Sequence, residues 1–108
     1  MAAFFRRQND HETQRRDYTV IRRHIAFYGC VQAVGFRWRA MQAAKLYGAT
    51  GWVRNEYDGS VTMEIQGTEA DIDAVVAVLQ NDDYIRIDRM DSRDIPADPE
   101  ERRFRVAY

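Results

Sequence analysis

Residues 20–48 read VIRRHIAFYGCVQAVGFRWRAMQAAKLYG, and a change of period inside this stretch decides the architecture. From Val20 to Tyr28 apolar and polar side chains alternate. Ile21, Ile25 and Phe27 fall on one side and Arg22, His24 and Tyr28 on the other, as in a strand with one wet face. From Phe36 the period lengthens, so that Phe36, Ala40, Ala43, Ala44 and Tyr47 share a helical stripe while Arg39, Gln42 and Lys45 lie off it. Gly48 supplies a C-terminal stop. The stretch is therefore a strand, a glycine-flanked turn and a helix.

Downstream, Gly51 to Asn55 and Ser60 to Gln66 bracket Asp58-Gly59, a strong short-range hairpin signal, and Val61, Met63 and Ile65 alternate with Thr62 and Glu64. Thr68 and Asp71 form a capping box with the shorter acid, ahead of a stripe of Ile72, Val75, Val76 and Leu79 that predicts a second helix. Tyr84 to Met90 is rich in β-formers, Pro96 to Glu101 reads as a loop, and Phe104, Val106 and Tyr108 alternate as a short closing strand. The order strand, helix, strand, strand, helix, strand predicts an α+β, ferredoxin-like βαββαβ sandwich, with two helices on one face of an antiparallel sheet. Many functions share that arrangement, so the function has to come from a site.

Upstream, residues 1–19 read as a flexible or disordered extension. Arg6 and Arg7 cut the apolar Ala2 to Phe5 run short of a signal-peptide core, and no apolar periodicity follows up to Asp17. Residues 20–108 form the expected domain, and 108 residues with a 45% apolar fraction suit one core. The 16 basic residues against 17 acidic ones offer no broad basic surface, so neither nucleic acid nor a membrane is an expected partner, and any anion binding is local. A single cysteine, Cys30, rules out an internal disulfide and a cysteine-built zinc site and suits the cytoplasm. His24 and His11 make no metal pair. A monomer is expected.

The turn between the first strand and the first helix carries the chemistry. A glycine-flanked turn entering a helix directs free backbone N–H groups and the positive end of the helix at one point, where a phosphate-sized anion binds. Arg37 stands in the first turn of that helix, where its charge opposes the dipole and calls for a partner that a bound dianion would supply.

Gly29-Cys-Val-Gln-Ala-Val-Gly-Phe-Arg37 resembles the acylphosphatase signature Gly-x-Val-Gln-Gly-Val-x-Phe-Arg, with one departure at Ala33. Gly51-Trp-Val-Arg-Asn55, followed by Gly59-Ser-Val61 and Gly67, is similar to the second signature of that family, and the ending Phe104 to Tyr108 is similar to its closing strand. The resemblance implies that Arg37 binds the phosphate, that Asn55 orients the water, and that Cys30, Val31, Gln32, Ala33, Val34, Gly35 and Phe36 make the phosphate loop. It implies a hydrolase of small acyl phosphates; a chain ending at its last strand with one cysteine leads us to expect a stand-alone enzyme, and an always-charged arginine in place of a cation leads us to expect no metal and no cofactor.

Chemistry agrees with that cast. A leaving carboxylate is a weak base and needs no general acid, so the absence of a catalytic histidine is expected. Ala33 keeps a second reading in play, a catalytically weakened phosphate-binding or interaction domain, because a glycine in a tight anion loop often serves a positive φ. An RNA-binding module of the same strand order lacks its aromatic platform in the third strand, where Thr62, Glu64 and Gln66 face water. Trp38, Trp52, Tyr28 and Tyr84 read as core or sheet-covering aromatics; Trp52 lies inside the second motif and could shape the acyl side. Cys30 is assigned no chemistry of its own, since nothing near it in sequence reads as a base.

Overall fold

A computed structural model describes residues 18–108. The predicted extension lies outside the described residues except for its last two positions. The elements run β1 (Val20–Cys30), α1 (Phe36–Tyr47), β2 (Thr50–Asn55), β3 (Val61–Thr68), α2 (Glu69–Gln80), β4 (Arg86–Ile95) and β5 (Phe104–Ala107). Both helices pack on one face of a sheet of order β4-β1-β3-β2-β5, the predicted ferredoxin-like arrangement with a closing strand at one edge.

Two expectations need correction. The sheet is mixed, because β5 pairs parallel with β2, Val53 facing Val106, while the other three pairings are antiparallel. The fourth strand starts later and runs further than the expected Tyr84 to Met90. Asp82 accepts a bond from the Tyr84 amide and holds that residue in a turn, and the polar stretch from Asp91 to Asp94 continues the pairing with β1. An edge strand with little burial carries no apolar alternation to betray its length.

The core forms where the two periods meet. Ile25, Phe27, Val53, Val61, Met63 and Ile65 of the sheet are buried against Phe36, Ala40 and Ala44 of α1 and Ile72, Val75 and Leu79 of α2. The alanine stripe keeps α1 close to the sheet, and Phe36 meets Phe27 with ring centroids 4.9 Å apart in a tilted pair. Gly48 closes α1, its amide directed at the carbonyls of Ala44 and Lys45, and Thr68 Oγ1 accepts from the Asp71 amide at 3.1 Å to start α2, both as the sequence predicts.

The opposite face of the sheet is wet but partly roofed. Gln66 exchanges two hydrogen bonds with the backbone of Asp98, which fastens the segment between β4 and β5 across the sheet. Arg22 is thereby only 6% exposed. Its burial opposes the charge, yet bonds and attraction from Glu101 and then Glu64 outweigh that cost and raise its pKa further above the ordinary value. Glu64 in turn is held below the usual carboxylate range: burial works against it, but His24, donating from Nδ1 at 2.8 Å, and Arg22 prevail. No buried side-chain nitrogen or oxygen among the described residues lacks a partner.

Candidate active site

The strand directions gather one end of the molecule into a site. β1 and β2 finish and β3 begins at that end, so the turn after β1, the start of α1 and the last residue of β2 converge there. At Gly29 the pairing of β1 with β4 shifts register, and a Cβ at that position would strike the Arg86 carbonyl, so only glycine permits the approach. Cys30 then ends the strand opposite Arg86, exposed. Val31 drops into the core at 1% exposure and anchors the loop.

Two residues of the loop are left-handed, Ala33 at φ 61° and Gly35 at φ 79°. Left-handed residues interspersed in a turn direct neighbouring N–H groups into one concavity, the geometry of an anion nest. Gly35 is also the N-cap of α1, and among the described residues no side chain caps the first amides of the helix. The first turn holds no acid.

Arg37 and Asn55 line one cleft of about 320 Å³, together with Val31, Ala33, Gly35 and Phe36 from the predicted loop. Both polar side chains are half-buried. Among the described residues no carboxylate pairs with Arg37; its guanidinium carbon lies 5.3 Å from the ring centroid of Tyr108. The two residues to which the resemblance gives phosphate and water therefore line a common space from separate elements, as a shared ligand requires.

The remaining loop residues have other contacts. Gln32 turns toward the hairpin, its amide donating to the carbonyls of Glu56 at 2.7 Å and Ser60 at 2.9 Å. It bolts the loop to the strand end that carries Asn55. Val34 gives its carbonyl to Arg39 Nη1 at 3.0 Å, and Arg39 is paired on its other side with Asp82 beyond the end of α2. A Cβ on Gly35 would meet that guanidinium, which would have to shift to admit it. Arg39 is thus a loop brace that sequence reading leaves among the solvated residues of α1, since its acidic partner is too distant in the chain to be recognised.

The chain matches the acylphosphatase family model over residues 23–106. The chain belongs to the acylphosphatase family. The acylphosphatase of Leuconostoc mesenteroides is 39% identical over 74 residues, which is 67% of this chain and 82% of that protein. That of Oceanobacillus iheyensis is 39% identical over 82 residues, 74% of this chain and 90% of its own. Among solved structures, the acylphosphatase from Bacillus subtilis superposes with a TM-score of 0.75 at 26% identity, covering 82% of this chain and 99% of that one. As a member of the acylphosphatase family the protein is a hydrolase.

The aromatics divide differently from expectation. Trp52 lies on the far face of the sheet under Arg54, 5.0 Å from its guanidinium carbon, and has no part in the cleft lining. Trp38, expected in the core or over the sheet, is 61% exposed at the cleft. Tyr28 does cover the sheet, beneath Arg89. Tyr84 is exposed and stacks with Arg39.

Proposed function

We propose that this acylphosphatase hydrolyses small acyl phosphates to a carboxylate and inorganic phosphate in the cleft between Arg37 and Asn55, without a metal. The observation that carries the reading is a helix start that, among the described residues, no side chain caps, facing the same space as an arginine that no carboxylate of those residues neutralises.

The phosphate binds in the concavity of residues 31–35 and on the first amides of α1, where backbone dipoles favour a dianion. Arg37 spans two of its oxygens with a planar fork and stays charged at any working pH, which lets it occupy the electrostatic role a divalent cation would otherwise take. Asn55 accepts from the attacking water through its amide oxygen and donates through its NH2, fixing the water in line with the scissile bond. The water oxygen bonds to phosphorus while the bond from phosphorus to the acyl oxygen breaks. Its electron pair leaves with the carboxylate, and the proton of the water passes to a phosphate oxygen. Charge in the loose transition state accumulates on the equatorial oxygens, where the amides and Arg37 are placed to receive it. Gln32 and Arg39 keep the loop and Asn55 in register.

The same reading places the protein in the cytoplasm as a monomer acting on a small molecule. No helix among the described residues is long and apolar enough to cross a membrane. On the open face Arg22, Arg54 and Arg89 are paired with Glu64 and Glu101, Glu56 and Asp91, while Arg93 and Arg105 carry no ion pair among the described residues, so the pairing removes much of the basic surface that nucleic acid would need. Hydrolysis of benzoyl phosphate, followed with and without a chelator, tests the proposal: turnover unchanged by the chelator supports it, and turnover abolished by the chelator refutes the metal-free mechanism.

A further inference from the structure

The lining of the cleft is of two chemical kinds. Arg37, Asn55 and the loop are polar; Trp38, Met41 and Val106 are apolar, and Tyr108, its ring against Arg37, borders both. A volume of about 320 Å³ is more than a phosphate fills and reaches the range of small-molecule sites. Trp38 stands in the first turn of α1, one residue from the phosphate-binding arginine, with most of its ring in water. An isolated exposed aromatic needs no explanation. Here the exposed ring is continuous with Met41, on the same helix, and with Val106, across on β5, and all of them open onto the space that holds the anion site.

We infer that Trp38, with Met41 and Val106 beside it, is the acyl-side wall of this enzyme and favours acyl phosphates whose carbon portion is flat and apolar. The inference rests on the phosphate-site reading above and adds the substrate class to it. An acyl phosphate held by its phosphate must project its carbon portion away from the anion nest, and the apolar wall is the part of the lining that the phosphate, Arg37 and Asn55 leave free. A planar acyl group laid against the indole gains offset stacking and releases water from both surfaces. The acyl group is not itself transformed in the reaction, so the contact persists from bound substrate to transition state and acts on KM more than on kcat.

Steady-state kinetics with benzoyl phosphate and acetyl phosphate, in the wild-type enzyme and in Trp38→Ala, test this. Taking the ratio of the two substrates within each variant cancels the fraction of active protein, and comparing that ratio between variants cancels their intrinsic reactivities. The expected result is a KM for benzoyl phosphate that rises about 10-fold more than that for acetyl phosphate, the scale of one lost aromatic contact, with Trp38→Phe recovering most of the difference. An unchanged ratio in an active enzyme, or a fall in kcat shared equally by both substrates, overturns the inference and leaves the phosphate site standing. Failure of the wild-type protein to hydrolyse either substrate overturns both.

Discussion

The two helices of this fold have the same length and lie on the same face of the sheet, yet their N-termini are built in opposite ways. At α2, Thr68 caps the amide of Asp71, and Glu69 and Asp71 bring negative charge to the positive end of the dipole. Arg23 of the neighbouring strand then balances Glu69 and Asp73. At α1 the cap is a glycine without a side chain, the first turn has no acid, and the charge placed there is the wrong sign for the dipole. One helix start is completed by its own chain; the other is not, and on the proposed reading a ligand completes it. The lesson is that the site of this enzyme is legible as an omission, a place where the ordinary stabilising residues are withheld and an arginine is added.

The sharpest way to break that contrast is to blunt the arginine. Arg37→Lys keeps the positive charge but replaces the two-pronged contact with a point charge, and turnover of benzoyl phosphate is expected to fall on the order of 1,000-fold, judging by arginines that stabilise phosphoryl transfer elsewhere. The fold is expected to survive, because the contact recorded for Arg37 within the protein is the ring of Tyr108. Near-normal turnover in this variant would remove the guanidinium from the mechanism. Asn55→Ala is expected to cost on the order of 100-fold in kcat while inorganic phosphate still inhibits, because the anion nest is untouched. Loss of phosphate inhibition would instead make Asn55 a ligand-gripping residue.

The contrast between the helices could be read from sequence because capping is local: Thr68 and Asp71 announce one helix, and Gly35 followed by Arg37 announces the other. The same holds for the hairpin at Asp58-Gly59, where Asp58 receives bonds from both the amide and the hydroxyl of Ser60. What escaped was long-range or lacked an apolar pattern. Nothing in the polar run from Asp91 to Asp94 distinguishes an edge strand from a loop until β1 is beside it. The direction of β5 depends on a connection that crosses the open face, fastened by Gln66 and Arg22, which read as ordinary wet-face residues. Within the site, the strut from Gln32 to Glu56 and Ser60 depends on the hairpin, and Trp38 lines the cleft while the strand turns Trp52 to the other face of the sheet.

The self-completed helix start offers a control for the open one. Thr68→Ala deletes the cap, and thermal or urea denaturation is expected to show a loss of about 1 kcal/mol. Turnover per folded molecule is expected to hold, since β3 runs away from the site and α2 begins at the far end of the sheet. A comparable loss of activity would mean that the two ends of the molecule are coupled.

The smallest expected effect decides what the departure at Ala33 means. Its φ of 61° is the left-handed conformation that a glycine adopts freely, and the alanine adopts it anyway, so the backbone path of the nest is kept and the cost falls on stability. Left-handed alanine carries a penalty of roughly 1 to 2 kcal/mol, and glycine gives back roughly 0.5 to 1 kcal/mol in unfolded-state entropy. Ala33→Gly is therefore expected to stabilise the protein by about 0.75 kcal/mol, the middle of a span of about 0 to 1.5, a rise in Tm of about 3 to 6 °C for a domain of this size. Because Ala33 is exposed and its Cβ replaces no amide of the nest, kcat for benzoyl phosphate is expected to change by less than about 3-fold, under 0.7 kcal/mol of barrier. A gain of 10-fold or more would show that the methyl group obstructs the anion, and would make this chain the weakened member of its family that the altered signature allows.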